Sequence, residues 1–404
     1  MEPAKFHAYT VISLVMPPSQ WLAPCYSKGM PQSILHYVEH HAERYFGELE
    51  RWASLESYTE DREGIRLFVE QLAKRLQGLG LDVQELGPGG ARLVARWECG
   101  AGKPLMLVGH ADTVYPRGAL ATQPVTRRDG RLFGPGVFDM KGGLLIMCAA
   151  IETLQALGRT PRRPISLVIT DDEEIGSPVS RPYIEQVACD AHAVLVLEPA
   201  TPAGALKTAR KGVGMFDLEI TGRAAHAGVA PHEGRSALVE LAHQILWLQT
   251  LNDPSSGTTV NVGQAQGGTA TNVIPALATA QIDVRVRSAG EAERLARLLS
   301  ERGAVTLDVV VRYSGGLRNP PMERTPAIAA LFAHAQSCAR ELGFEVEEAA
   351  TGGGSDGNFT AALGIPTLDG LGPVGDGAHA PHEHIVLNEF PRRVALLARL
   401  METI

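Results

Sequence analysis

Apolar residues recur at helical spacing early in the chain. Ile34, Val38, Tyr45 and Leu49 mark one stripe between Ser33 and Ser57. Ile65, Phe68, Leu72 and Leu76 mark another between Arg62 and Leu79, where Gly78 and Gly80 end the periodicity. The pattern then changes. Leu93–Trp97 and Leu105–Gly109 are short apolar runs bounded by Gly and Pro, as buried strands are. Met140–Leu157 reads as a helix, Ile165–Thr170 as a strand, Pro182–Val187 as a helix and Ala193–Leu197 as a strand. Strands alternating with helices imply an α/β layer with a mostly parallel sheet. From about Leu206 to Tyr313 the texture differs. Met215–Thr221 and Ala278–Arg287 alternate like half-exposed strands, and Ser236–Leu248 and Glu291–Glu301 read as helices, which predicts a small α+β insert. Helical periodicity returns over Thr325–Leu342, Asp356–Leu363 and Leu387–Met401, with a strand over Pro366–Leu371. The expected organisation is an N-terminal extension (residues 1–30), a main domain in two pieces (31–206 and 316–404) and an insert (207–315).

A length of 404 residues exceeds what one core usually fills, in keeping with that division. A net charge of -8 argues against nucleic acid and anionic membrane surfaces as partners, but leaves room for a local cationic pocket facing a small anionic substrate. Five scattered cysteines (Cys25, Cys99, Cys148, Cys189, Cys338) lack CxxC spacing, so reduced thiols in a cytoplasm are expected rather than a disulfide framework. Thr10–Met16 is apolar but short, with Glu2 before it and Pro17-Pro18 after it. That favours an extension over a signal peptide, and no run is long enough to span a bilayer.

The chemistry gathers where buried runs end. His110 follows Leu105–Gly109, with Asp112 two residues on; Asp171-Asp172-Glu173-Glu174 follows Ile165–Thr170; Glu198 follows Ala193–Leu197. Ligands in open α/β sheets collect at such carboxyl ends. Asp139 lies between these runs in DMKGG, and His379 lies far downstream in GAHAPHEH. Alone, the acidic run would be a solvated helix start, and HxD would mean little. Together they are a donor set for two divalent metals, with imidazole suited to zinc and carboxylates balancing the charge. Asp112 is placed to hydrogen-bond the His110 nitrogen that faces away from the metal.

GHADTV, GPGVFDMKGG, TDDEEIGS, LEPA, GRAAHAG, TNVIP and GGGSD occur in this order from about Glu50 onward. In these motifs the chain resembles the dinuclear zinc exopeptidases and deacylases, a family that includes glutamate carboxypeptidase, acetylornithine deacetylase, succinyl-diaminopimelate desuccinylase and aminoacylase. GHADTVYPRG and the length resemble the glutamate carboxypeptidase branch most. The resemblance implies a zinc-peptidase catalytic domain with a ferredoxin-like lid that also forms a homodimer. It implies two Zn2+ ions, with Co2+ or Mn2+ able to substitute. His110 and Glu198 would hold one ion, Glu174 and His379 the other, and Asp139 would bridge them. Glu173 would be the general base and Asp112 the second-shell partner of His110. His382 and His384 exceed the family pattern and are read as surface or secondary positions.

His226 and Arg285, read alone, are a loop histidine and a rim ion pair with Asp283. The resemblance instead implies that His226 reaches a partner subunit's active site to stabilise an oxyanion, that Asn272 holds the substrate carbonyl, and that Arg285 binds a free carboxylate. Arginine's planar fork suits that task. GGGSDG lacks the Lys-Ser/Thr of a nucleotide loop, so Gly353, Gly354 and Ser355 are expected beside the substrate's carboxylate, with Asp356 capping the next helix. Lys207, Arg210 and Lys211 read as hinge or surface residues. The expected activity is hydrolysis of an amide beside a free carboxylate in a small peptide or N-acyl amino acid. The rivals are an N-acyl-amino-acid deacylase, a non-catalytic binding homologue and a two-metal phosphatase.

Overall fold

Three strands are buried at every position: Leu105–His110, Ile165–Thr170 and Ala193–Val196. Both of their faces are covered, which is why the runs are apolar throughout instead of alternating. Leu105 and Leu107 join the core formed with the helices Ile34–Ala53, Gly142–Ala156 and Phe390–Thr403. Met106 and Val108 point the other way and pack with Ile184 and Phe359, from the helices Arg181–Ala188 and Gly357–Ala362. This computed structural model describes residues 33–86 and 91–404. The expected extension, with Thr10–Met16 and Cys25, lies outside the described residues.

The main sheet has six strands, in the order Asp82–Glu85, Leu93–Trp97, Ile165–Thr170, Leu105–His110, Ala193–Val196 and Thr367–Leu368. The last four run parallel and the first two antiparallel, matching the expected α/β class. The insert has the element order βαββαβ: Gly212–Thr221, Ala237–Gln249, Thr259–Gly267, Leu277–Val286, Ala289–Glu301 and Val310–Asn319. Its sheet order places the first strand between the third and fourth, all antiparallel, as in ferredoxin-like folds. Ala278, Ala280, Ile282 and Val284 belong to the insert's own core, while Gln281, Asp283 and Arg285 project from the opposite face.

Several boundaries differ from the sequence reading. The last strand of the insert runs to Asn319, past Tyr313 and residue 315, because Gly315 and Gly316 interrupt the alternation without ending the ladder. Leu206–Arg210 pairs outside the insert, in parallel with Glu348–Thr351. The helix expected from Met140 starts at Gly142, because Val137–Lys141 forms a wide turn that carries Asp139. The strand expected over Pro366–Leu371 pairs only at Thr367–Leu368 before Gly370 turns the chain with φ 77°. A four-stranded ribbon of Thr126–Arg128, Arg131–Phe133, Gly375–Asp376 and His384–Val386 was too short in each strand to show in the pattern. Among the described residues, no helix is long and apolar enough to cross a membrane.

Candidate metal centre

Register brings the donors together. His110, the last residue of its strand, pairs with Thr170, and Val108 pairs with Val196, so the acidic run and Glu198 leave from the two neighbouring strand ends. His110 Nε2 lies 3.1 Å from Asp139 Oδ1, 3.5 Å from Glu198 Oε1 and 4.0 Å from Glu173 Oε2. His379 arrives from the far end of the chain, with Nε2 3.0 Å from Glu174 Oε2 and 3.5 Å from Asp139 Oδ2. Asp139 thus presents one oxygen to each imidazole. Ligand atoms of His110, Glu173 and Glu198, and separately of His110, Asp139 and Glu174, lie within 4.8 Å of one another. His379 has φ 63°, a left-handed conformation that costs a residue with a Cβ about 1–2 kcal/mol.

The donor set fits divalent metal on an observation independent of sequence. Glu174 Oε1 is buried and has no hydrogen-bond partner, a costly state for a carboxylate oxygen unless it coordinates a cation. Charges within the cluster are also strongly interdependent. Burial disfavours a charged His110, yet the carboxylates of Asp112, Asp139 and Glu198 hold its pKa well above the ordinary value. Asp139 and Glu174 push His379 up to about 10. Burial would raise Asp139, but His110 and His379 hold it well below the usual carboxylate range. Burial, then the Glu198 charge, pushes Glu173 well above that range.

Asp112 does more than the expected single bond. His110 Nδ1 is 2.9 Å from the Asp112 main-chain oxygen and 3.4 Å from its Oδ1, so the backbone carbonyl is the nearer acceptor. The Asp112 carboxylate accepts from Thr59 Oγ1 and from the backbone N–H groups of Glu173 and Glu174, at 2.9, 3.2 and 3.2 Å. It therefore fixes the turn that aims both glutamates.

Two residues passed over in the sequence hold the centre from outside. Glu383 is buried and accepts from the backbone N–H groups of Gly136, Phe138 and Asp139, at 3.1, 2.8 and 2.9 Å. The turn carrying Asp139 is thus pinned by one carboxylate, whose pKa burial pushes up to about 7. Nothing local signals this, because a glutamate flanked by two histidines reads as surface. His382 is exposed, but His384 is buried against Phe133, a correction caused by its place in the four-stranded ribbon. Arg210 is the second. It is buried, pairs through Nε and Nη2 with Asp369, and places Nη2 3.3 Å from Glu198 Oε2. This corrects its reading as hinge or surface. The signal was available, since Leu206, Thr208 and Arg210 share the buried face of one strand.

The remaining expected site residues lie elsewhere. Gly353 and Gly354 direct their carbonyls to Arg210. Ser355 is fully buried and its hydroxyl donates to Asp369 at 2.6 Å, so it braces the Arg210 pair and has no free face for a substrate. Asp356 does not cap its helix through its side chain; the carboxylate accepts from Thr170 and Ser177, and burial pushes its pKa up to about 7. His226, Asn272 and Arg285 belong to the insert and make no contact with the metal-ligand cluster within this subunit. His226 and Asn272 are neighbours, since Ala227 N–H donates to the Asn272 carbonyl at 2.9 Å. His226 Nδ1 accepts from the N–H groups of Gly228 and Val229, so the neutral ring carries its proton on Nε2. Arg285 holds Asp283 with Nε and Nη2, and its Nη1 makes no hydrogen bond among the described residues.

Comparison with known proteins agrees with this architecture. The sequence model of peptidase family M20/M25/M40 matches residues 106–403. Carboxypeptidase G2 of Pseudomonas sp. (strain RS-16) is 32% identical over 366 residues, 87% of each chain. A succinyl-diaminopimelate desuccinylase of Paracidovorax citrulli is 29% identical, covering 83% of this chain and 92% of its own. Among solved structures, aminopeptidase PepT from Bacillus cereus superposes with TM-score 0.74 at 24% identity, covering 89% of this chain and 98% of its own. The M20 family metallo-carboxypeptidase Sso-CP2 from Sulfolobus solfataricus gives 0.69 at 19%, with the same coverage. At those identities the structures establish the fold alone. With its fold, its strand-end donor set and the span of the family match in agreement, this chain belongs to peptidase family M20/M25/M40 and is a metallohydrolase of that family.

Proposed function

We propose that the chain is a dinuclear zinc carboxypeptidase of the cytoplasm, releasing C-terminal glutamate or a similar residue from small peptides or N-acyl amino acids. The observation that carries this reading is the convergence of two imidazoles and four carboxylates on one point, with Glu174 Oε1 buried and unpartnered. His110 and Glu198 hold one ion, Glu174 and His379 the other, and Asp139 spans them. Two zinc ions bound there, or Co2+ or Mn2+ in their place, would supply Lewis acidity and lower the pKa of a water to about 7.

The residues do the rest. Glu173, its proton affinity raised by burial and by Glu198, takes a proton from the attacking water as the C–O bond forms. It returns that proton to the amine nitrogen as the C–N bond breaks. His226, donating through Nε2, stabilises the oxyanion from the partner subunit of a homodimer built through the insert, and Asn272 beside it holds the substrate carbonyl. Asp283 occupies only the side-on fork of Arg285, so the end-on fork of Nη1 and Nη2 remains for the substrate carboxylate, near the Gly353-Gly354 loop. The similarity to succinyl-diaminopimelate desuccinylase supports a second reading, an N-acyl-amino-acid deacylase with the same machinery. Hydrolysis of an N-acylglutamate measured beside N-acetylornithine separates the two. Full activity after exhaustive chelation refutes both.

A further inference from the structure

A cavity of about 280 Å3 opens where the insert joins the main domain, lined in part by Arg210, Lys211, Arg287, Glu323, Arg324 and Gly352. Its size, near the lower end of roughly 300–1,000 Å3 for ligand sites, suits a small group and not a whole peptide. Most of its charges are already matched. Arg210 pairs with Asp369, Arg324 with Glu348, and the Glu323 carboxylate accepts from Ala289 N–H. Lys211 and Arg287 are not. Neither side chain has a hydrogen bond or ion pair among the described residues.

Their placement makes this costly. Arg285 pairs with Val213 and Val286 with Gly212, so the same antiparallel register carried one step further sets Arg287 opposite Lys211. Like charges facing each other across strands are destabilising. Burial, then Arg287 and Arg285, lower the pKa of Lys211, as expected of a cation facing unneutralised positive charge. Gly352 leaves open space above its backbone where a side chain would otherwise stand. The cavity also shares Arg210 with the metal centre, since that guanidinium reaches Glu198.

From this geometry we infer that Lys211 and Arg287 form a second carboxylate subsite, which takes the side-chain carboxylate of an acidic C-terminal residue while Arg285 takes its α-carboxylate. Arg285 and Arg287 are two residues apart on one strand face, about 7 Å along the chain, a spacing that matches two carboxylates of one small diacid. The inference rests on the carboxypeptidase reading and names its substrate class: dicarboxylic amino acids at the C-terminus.

The test compares the wild type with Lys211→Met/Arg287→Met. Removing two unpartnered side chains orphans no hydrogen bond, so the fold, checked by circular dichroism, is retained. The variant should lose roughly ten- to hundredfold in kcat/KM on N-acylglutamate through KM, with N-acylglutamine unchanged. An unchanged glutamate-to-glutamine preference overturns the subsite. Calorimetric titration with glutarate and its monoamide isolates binding from turnover: the wild type should prefer glutarate and the variant should not. If the wild type cleaves no acylglutamate, the carboxypeptidase reading falls. In that event, glutarate binding that differs between wild type and variant upholds the anion site, and equal binding overturns it.

Discussion

Glu383→Gln is the sharpest probe of how Asp139 is held. The native carboxylate has two acceptor oxygens for three buried donors, Oε2 for Gly136 N–H and Oε1 for Phe138 and Asp139 N–H. Glutamine has the same shape but one acceptor. With its carbonyl turned to Phe138 and Asp139, its NH2 group faces the Gly136 N–H, donor against donor. Each buried donor left without a partner costs about 1–3 kcal/mol, so Gln should destabilise the protein by about that much. Alanine would orphan all three, about 3–9 kcal/mol against a typical total of about 5–15, and unfolding would then obscure the local effect. Because Asp139 faces both His110 and His379, a loosened turn should also weaken metal binding, by about 10–100-fold if it behaves like other outer-shell partners. Competition with a chromophoric chelator reads metal affinity, and urea unfolding reads stability. A Gln variant that loses stability but binds metal like wild type would show that Glu383 only supports the fold. One that changes neither would refute the reasoning.

Glu173→Ala should keep its metals and lose about 10^2–10^4-fold in kcat; normal hydrolysis would remove Glu173 from the mechanism. Arg210→Met strands the buried carboxylates of Asp369 and Glu198 without their cation and should cost about 3–5 kcal/mol in urea unfolding, whereas unchanged stability would mean that the pair contributes nothing. Asp356 supplies the pH prediction. Burial raises its folded-state pKa to about 7, so the native state holds a proton that the unfolded chain releases at ordinary carboxylate pH. The contribution is present at low pH and is lost as pH rises through 7, so the metal-free protein should lose stability across that window. Asp356→Asn should flatten the slope, and an identical slope in both proteins would contradict the assignment.

What was legible in the sequence follows from the range over which a residue's environment is set. His110, Glu173, Glu174 and Glu198 stand just past runs whose burial on both faces leaves an unbroken apolar signal, so the end of each run marks the donor. The face that Arg285 occupies was legible for the same local reason, since side chains alternate along a strand and Asp283 is two residues away. The fork it leaves open was not, because that depends on how two side chains meet. Arg210 could be assigned to a buried face by alternation, but its partner Asp369 is 159 residues away. Glu383 acts on Phe138 across 245 residues and bonds only to backbone N–H groups, which have no residue type to recognise. Periodicity tells which way a side chain points and leaves open which charge it meets. A buried ion or carboxylate is tolerable only with a partner, so the residues that neutralise and aim a polar centre come from wherever the topology supplies them. Around this centre, that places the ligands within reach of local pattern and their supports beyond it.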